Sequence, residues 1–166
     1  MMMISGIING DFMDYEFLLK EADTLGVIVK EANLITKDGY CKGIRIAINN
    51  KLVTDKEKKC ILAEELGHYH KTVGNITDQN NINNRKQEII ARRWGYQKLI
   101  SIEDLIDCYK KGIPNKYEMA DSLGVTEEFL NEALSYYKDK FGAFYKLDNY
   151  IISFDPLWII EKFEDF

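Results

Sequence analysis

The chain has no Cys-x-x-Cys pair, no apolar run long enough to cross a membrane and no surplus of basic residues. Each absence removes a class of function. Cys41, Cys60 and Cys108 are an odd number at wide spacing, which fits reduced thiols used as small buried hydrophobes better than a disulfide framework or a set of ligands. With 22 Lys and Arg against 27 Asp and Glu, the net charge is −5, which argues against a general affinity for phosphate backbones. The opening Met1-Met2-Met3-Ile4 lacks a basic segment and meets Asp11 and Asp14 early, so it reads poorly as a secretory signal. The expectation is a cytoplasmic protein with no membrane and no direct nucleic-acid partner.

What is present is an ordinary globular composition, 46% apolar and 30% charged over 166 residues, enough for one domain with a small extension. Tyr15, Leu18, Leu19 and Ala22 recur at helical spacing between Asp11 and Leu25, before a stop at Gly26. Val27-Ile28-Val29 and Ile44-Arg45-Ile46-Ala47-Ile48 predict a small sheet, with Ile44, Ile46 and Ile48 on one strand face. Thr54-Asp55-Lys56-Glu57 has capping-box spacing and predicts a helix that runs from Thr54 to near Gly74. Asp78 to Asn84 reads as a loop, Arg85 to Ile100 as a helix, and Ser101-Ile102-Glu103-Asp104 as the cap of another helix ending at Gly112. Two further helices are expected at Asn115 to Leu123 and Thr126 to Lys138 around Gly124. A hairpin about Leu147-Asp148-Asn149 and a short segment containing Trp158 follow. The fold class expected is α+β and mostly helical, with a core over 1–101 and a helical extension over 102–166 packed on it.

The chemistry concentrates in Ala63-Glu64-Glu65-Leu66-Gly67-His68, one residue away from a zinc-peptidase helix. His-Glu-x-x-His sets two imidazoles one turn apart on a helix, with a carboxylate beside them to take a proton from water. Here the first His is Glu64. Residues i and i+4 share a helical face, so Glu64 and His68 can address one ion, and a carboxylate oxygen reaches zinc at roughly the imidazole distance of 2.0–2.2 Å. His70, two residues beyond His68, is turned about 200° away on a helix and is assigned a structural or solvent role. Gly67 in a helix interior points to the close approach of another element.

A third ligand should come from a neighbouring helix, where Glu88 is the candidate and Ala91 and Gly95 give its face small side chains. Each of these residues also has a plain reading. Glu64 and Glu65 can be solvated helix charges, and Glu88 can be half of an ion pair with Arg92 at i+4. A Glu/His/Glu set would carry two negative charges against the ion's two positive ones. That weakens its Lewis acidity and makes manganese or iron less remote as alternatives to zinc.

Leu62-Ala63-Glu64-Glu65-Leu66-Gly67-His68-Tyr69 followed by Glu88-x-x-Ala91 resembles the ImmA/IrrE family of metallo-endopeptidases, in the phage and mobile-element branch with Glu-Glu-Leu-Gly-His. The likeness extends through Ile46-Ala47-Ile48-Asn49, Lys58-Lys59-Cys60-Ile61, Tyr117-Glu118-Met119-Ala120 and Val125-Thr126-Glu127-Glu128-Phe129-Leu130. The resemblance implies a minimal zincin-like domain and site-specific cleavage of a helix-turn-helix repressor, an antirepressor activity. It makes His68 a zinc ligand, Glu88 the third ligand and Glu65 the general base or acid, while Glu64 departs from the usual first His. The Ile44 to Ile48 strand is a candidate for pairing with an extended substrate.

Two other readings are open. One is a silent relative that binds the repressor without cutting it. The other is a DNA-binding regulator, drawn from the helix-turn-helix pattern at Met119 to Thr126, but the helix after the turn begins Thr126-Glu127-Glu128 and offers carboxylates where phosphates would lie.

Overall fold

The computed structural model describes residues 7–8, 11–74 and 82–163. The protein is α+β and mostly helical. Two-residue strands β1 (Ile7–Ile8) and β2 (Asp11–Phe12) pair antiparallel ahead of α1 (Tyr15–Thr24). The first helix starts at Tyr15, the first of its periodic apolar residues, rather than at Asp11, because Asp14 caps it, accepting from the Phe17 N–H at 2.7 Å. Its buried face is Tyr15, Leu18 and Ala22.

The first sheet has three strands, β3 (Ile28–Ala32), β4 (Gly39–Lys42) and β5 (Arg45–Asn49), in the order β3-β5-β4. β3 runs parallel to β5 and β4 antiparallel to it. Two expectations fail here. Ile44 lies in the turn before β5 and is exposed, while Ile46 and Ile48 are buried as expected. β5 is the middle strand with both edges paired, so it has no hydrogen-bonding edge left for a substrate peptide. Among the described residues the open edges belong to β3 and to β4, whose Gly39-Tyr40-Cys41-Lys42 has too little periodicity to read as a strand.

α2 (Asp55–Gly74) begins at the expected capping box. Thr54 Oγ1 accepts from the Glu57 N–H at 3.2 Å, and Glu57 Oε2 accepts from the Thr54 N–H at 2.9 Å. α3 (Ile82–Leu99) starts earlier than expected: Ile82, Asn83 and Asn84 form its first turn, while residues 78–81 of the anticipated loop lie outside the described residues. The two helices touch through their backbones. A Cβ added at Gly67 would overlap the Ala91 carbonyl oxygen and stand 3.0 Å from Ala91 Cα, and one added at Gly95 would stand 3.3 Å from Glu64 N. Glycine is required at the first of these positions by contact alone.

The C-terminal half follows the expected order. α4 (Ile102–Lys110) has the Ser101/Asp104 capping box, α5 (Lys116–Leu123) ends on Gly124 at φ 61°, and α6 (Glu127–Phe141) is capped by Thr126. The hairpin β6 (Tyr145–Leu147) and β7 (Tyr150–Phe154) gains a third strand, β8 (Leu157–Glu161), which contains Trp158 and pairs Ile159 with Ile152. Continuous buried apolar packing runs from Met13 and Leu18 through Leu62 and Leu66 of α2 to Leu130 and Tyr137 of α6 and Phe154 of β7. No helix among the described residues is long and apolar enough to cross a membrane.

Candidate metal centre

α2 presents Glu64 and His68 one turn apart, and α3 brings Glu88 against them. One ligand atom from each of the three lies within 4.8 Å of the other two. His68 Nε2 and Glu88 Oε2 are 3.3 Å apart. Two ligands in a tetrahedral zinc shell with bonds of roughly 2.0–2.2 Å stand about 3.3–3.6 Å from each other. That pair is therefore at chelating separation, with a Glu64 oxygen within 4.8 Å of both. Burial lowers the His68 imidazole below its ordinary value, against an opposing effect of Glu88, and so favours the neutral ring that metal coordination requires. The donor set of one nitrogen and two hard oxygens fits a divalent ion of the zinc, manganese or iron type.

Glu65 lies beside this trio on the same helix and is 8% exposed. Its carboxyl is raised to about 7, first by burial and then by the charges of Glu64 and Glu88, with Lys37 opposing. A carboxyl in that range can both take and return a proton near neutrality. Its position is set by β4: a Cβ at Gly39 would come within 2.6 Å of Glu65 Oε1 and of Ile61 Cγ2. Gly39 is bare so that the strand can lie against the acid.

The loop before that strand is tied down by buried Asn49, whose amide donates to the carbonyls of Leu34 at 3.1 Å and Lys37 at 3.0 Å. The result is a cleft of about 380 Å³ with Lys37 to Cys41 on one wall and Glu64, Glu65, His68 and Glu88 on the other. Cys41 is in this wall as a thiol raised to about 11 by burial and by Glu65, and so is not a nucleophile near neutrality.

Sequence reasoning missed two participants. Gly39 and its strand carried no periodic signal. Arg92 was weighed only as a partner of Glu88, whereas its Nε stands 3.0 Å from Glu64 Oε1 and 3.7 Å from Glu88 Oε1. The i+4 ion pair and the convergence of Glu88 on His68 therefore coexist. His70 is turned from the cleft, as its helical phase requires, and its ring lies 4.7 Å from that of Trp94.

Two carboxylates and an imidazole converging from packed helices form a donor set for a cation rather than a nucleophile with its base, and with the adjacent acid they define a metallopeptidase-type domain. Residues 17–135 match the family model for peptidase M78, described as the IrrE N-terminal-like domain. That is well over half of the chain, which belongs to this family. No curated protein matches it.

Proposed function

We propose that the chain is a metal-dependent endopeptidase of the cytoplasm that cleaves a helix-turn-helix transcriptional repressor, acting as the antirepressor of a phage or mobile element. The convergence of Glu64, His68 and Glu88 beside the buried acid Glu65 carries this reading. The three converging residues would hold the ion, zinc being the first choice. A bound divalent ion supplies Lewis acidity toward the scissile carbonyl and toward water. Glu65 takes one proton from the attacking water as its oxygen joins the carbonyl carbon, then gives that proton to the amine nitrogen as the C–N bond breaks. The open edge of β4, along the same cleft, would receive the substrate as an added strand. Residues 1–101 would supply the catalytic unit and 102–166 the surface that docks the repressor.

The test is cleavage of a co-encoded repressor with metal supplied. Wild type should cut at one site, and Glu65→Gln should lose about 10²–10⁴-fold in kcat while still binding. Inactivity of both would end the enzyme reading.

One observation favours the silent relative: the Arg92 guanidinium supplies a positive charge to the acidic pair without any ion. Purified protein that holds no metal, yet binds the repressor, would select that reading. The DNA-binding reading finds no support in the solvent face of α6, where Glu127, Glu128 and Asn131 are exposed.

A further inference from the structure

We propose that Arg92 is a positioning residue of the metal centre, fixing Glu64 as a one-oxygen ligand and returning to the ligand set the positive charge that glutamate at this position removes. The proposal rests on the metallopeptidase reading above. A divalent ion held by two neutral imidazoles and one carboxylate has a net charge of +1. With Glu64, His68 and Glu88 the sum falls to zero, and the guanidinium brings it back to +1.

Arginine suits the task because it stays charged at any working pH and its planar N–H groups bond carboxylates directionally. The geometry matches. Glu64 is largely buried, with a side chain 20% exposed, and its Oε1 is taken by Arg92 Nε at 3.0 Å, which leaves one carboxylate oxygen for an ion. Glu88 is divided in the same way, with Oε1 toward Arg92 at 3.7 Å and Oε2 toward His68 at 3.3 Å.

Helix packing holds the arginine there. Ala91 and Gly95 are the points where α3 meets the α2 backbone, and Arg92 follows the first of them, so its side chain leaves the contact seam directly beside Glu64. Behind it, Tyr96 donates to Glu132 of α6 at 2.7 Å, and the Glu132 charge also favours the guanidinium. The pair is half exposed on the arginine side, and ion pairs of that kind add little to stability, so the variant should fold.

The experiment uses the full chain and cobalt(II) as probe, comparing wild type, Arg92→Gln and Arg92→Lys. Without metal, Arg92→Gln should melt within a few degrees of wild type. It should bind cobalt several-fold more tightly, since its ligand set is more negative, and show altered visible bands, because Glu64 is free to turn both oxygens to the ion. Arg92→Lys should restore part of the wild-type spectrum. With repressor as substrate, the Gln variant should lose kcat with KM unchanged. A Gln variant that equals wild type in cobalt affinity and spectrum overturns this proposal alone, as does one that merely melts lower and binds more weakly. Wild type that takes up no cobalt overturns the metal reading along with it.

Discussion

Lys59 is a charged side chain on the buried side of α2, 3% exposed, with its amine donating to the carbonyls of Met13 at 2.9 Å and Leu123 at 3.0 Å. Leu123 ends α5, and the carbonyls at a helix C-terminus favour a cation. Burial nevertheless lowers the amine from 10.5 to about 8, with Asp14 and Asp104 opposing and Lys56 adding to the fall. The folded chain therefore releases this proton earlier than the unfolded chain does. Between about pH 8 and 10.5 the unfolded state binds the extra proton, so this group makes stability rise with pH across that window. Denaturant unfolding of wild type and Lys59→Met at pH 7 and pH 10 isolates the effect. The stability difference should move in favour of wild type at pH 10, and a difference that stays flat or moves the other way would refute the assignment. From sequence, Lys59 was one basic residue in a run of them, since nothing in Lys58-Lys59-Cys60 marks which lysine turns inward. Glu64, Glu65 and His68 were legible because helix phase alone decides their relation. Arg92 was not, because its choice between Glu88 and Glu64 depends on how α3 lies against α2.

At the scale of elements, the seam between α2 and α3 is the feature on which the centre depends. Gly67 read from sequence as a close approach, and the structure supplies the approaching atoms, the Ala91 backbone. Gly67→Ala would gain about 1 kcal/mol of helix propensity, but backbone on both sides cannot give way, and forced overpacking costs about 1–3 kcal/mol or more. The net expectation is a less stable protein with Glu88 displaced from His68, hence weaker metal binding. Gly95→Ala meets its neighbours at 3.3 Å and beyond and should stay within about 1 kcal/mol of wild type, because propensity offsets the tighter fit. Thermal melts and metal titration of the two variants side by side check this, and equal losses at both positions would contradict the asymmetry. Capped helices were the most readable elements, since Thr54, Ser101, Asn115 and Thr126 announce their own starts. Strands were harder. β4 is short and holds a glycine chosen for contact with Glu65, while β8 follows a turn at Asp155-Pro156 that resembles the end of a hairpin.

For the whole molecule, the proposed ion would add a further tie between two helices that already pack along the Gly67–Ala91 seam. Binding that favours the folded chain stabilises it by mass action, about 2.7 kcal/mol at a hundredfold excess over Kd. For a chain of this length that corresponds to a rise of roughly 5–10 °C in Tm. Calorimetry with zinc and with a chelator should show the difference, and Glu88→Gln should abolish most of it. Identical melts in the two conditions would count against a metal linking α2 and α3. The mostly helical α+β class was readable from the order of periodic segments; the continuity of the core was not, because it depends on Tyr137 of α6 bonding the Ile100 carbonyl and stacking near Phe154 of β7.

The family match ends at residue 135, inside α6, which continues to Phe141. The matched region and the folded core thus part company in the middle of a helix. Just past that point come Tyr137 and Phe141, the aromatic residues that meet Phe154 and Tyr145 of the terminal sheet. A fragment trimmed to the shared region would keep every residue of the centre and lose the lid on its own interior. Whatever β6 to β8 contribute to partner choice, the terminal sheet continues the hydrophobic core rather than trailing from it as a tail.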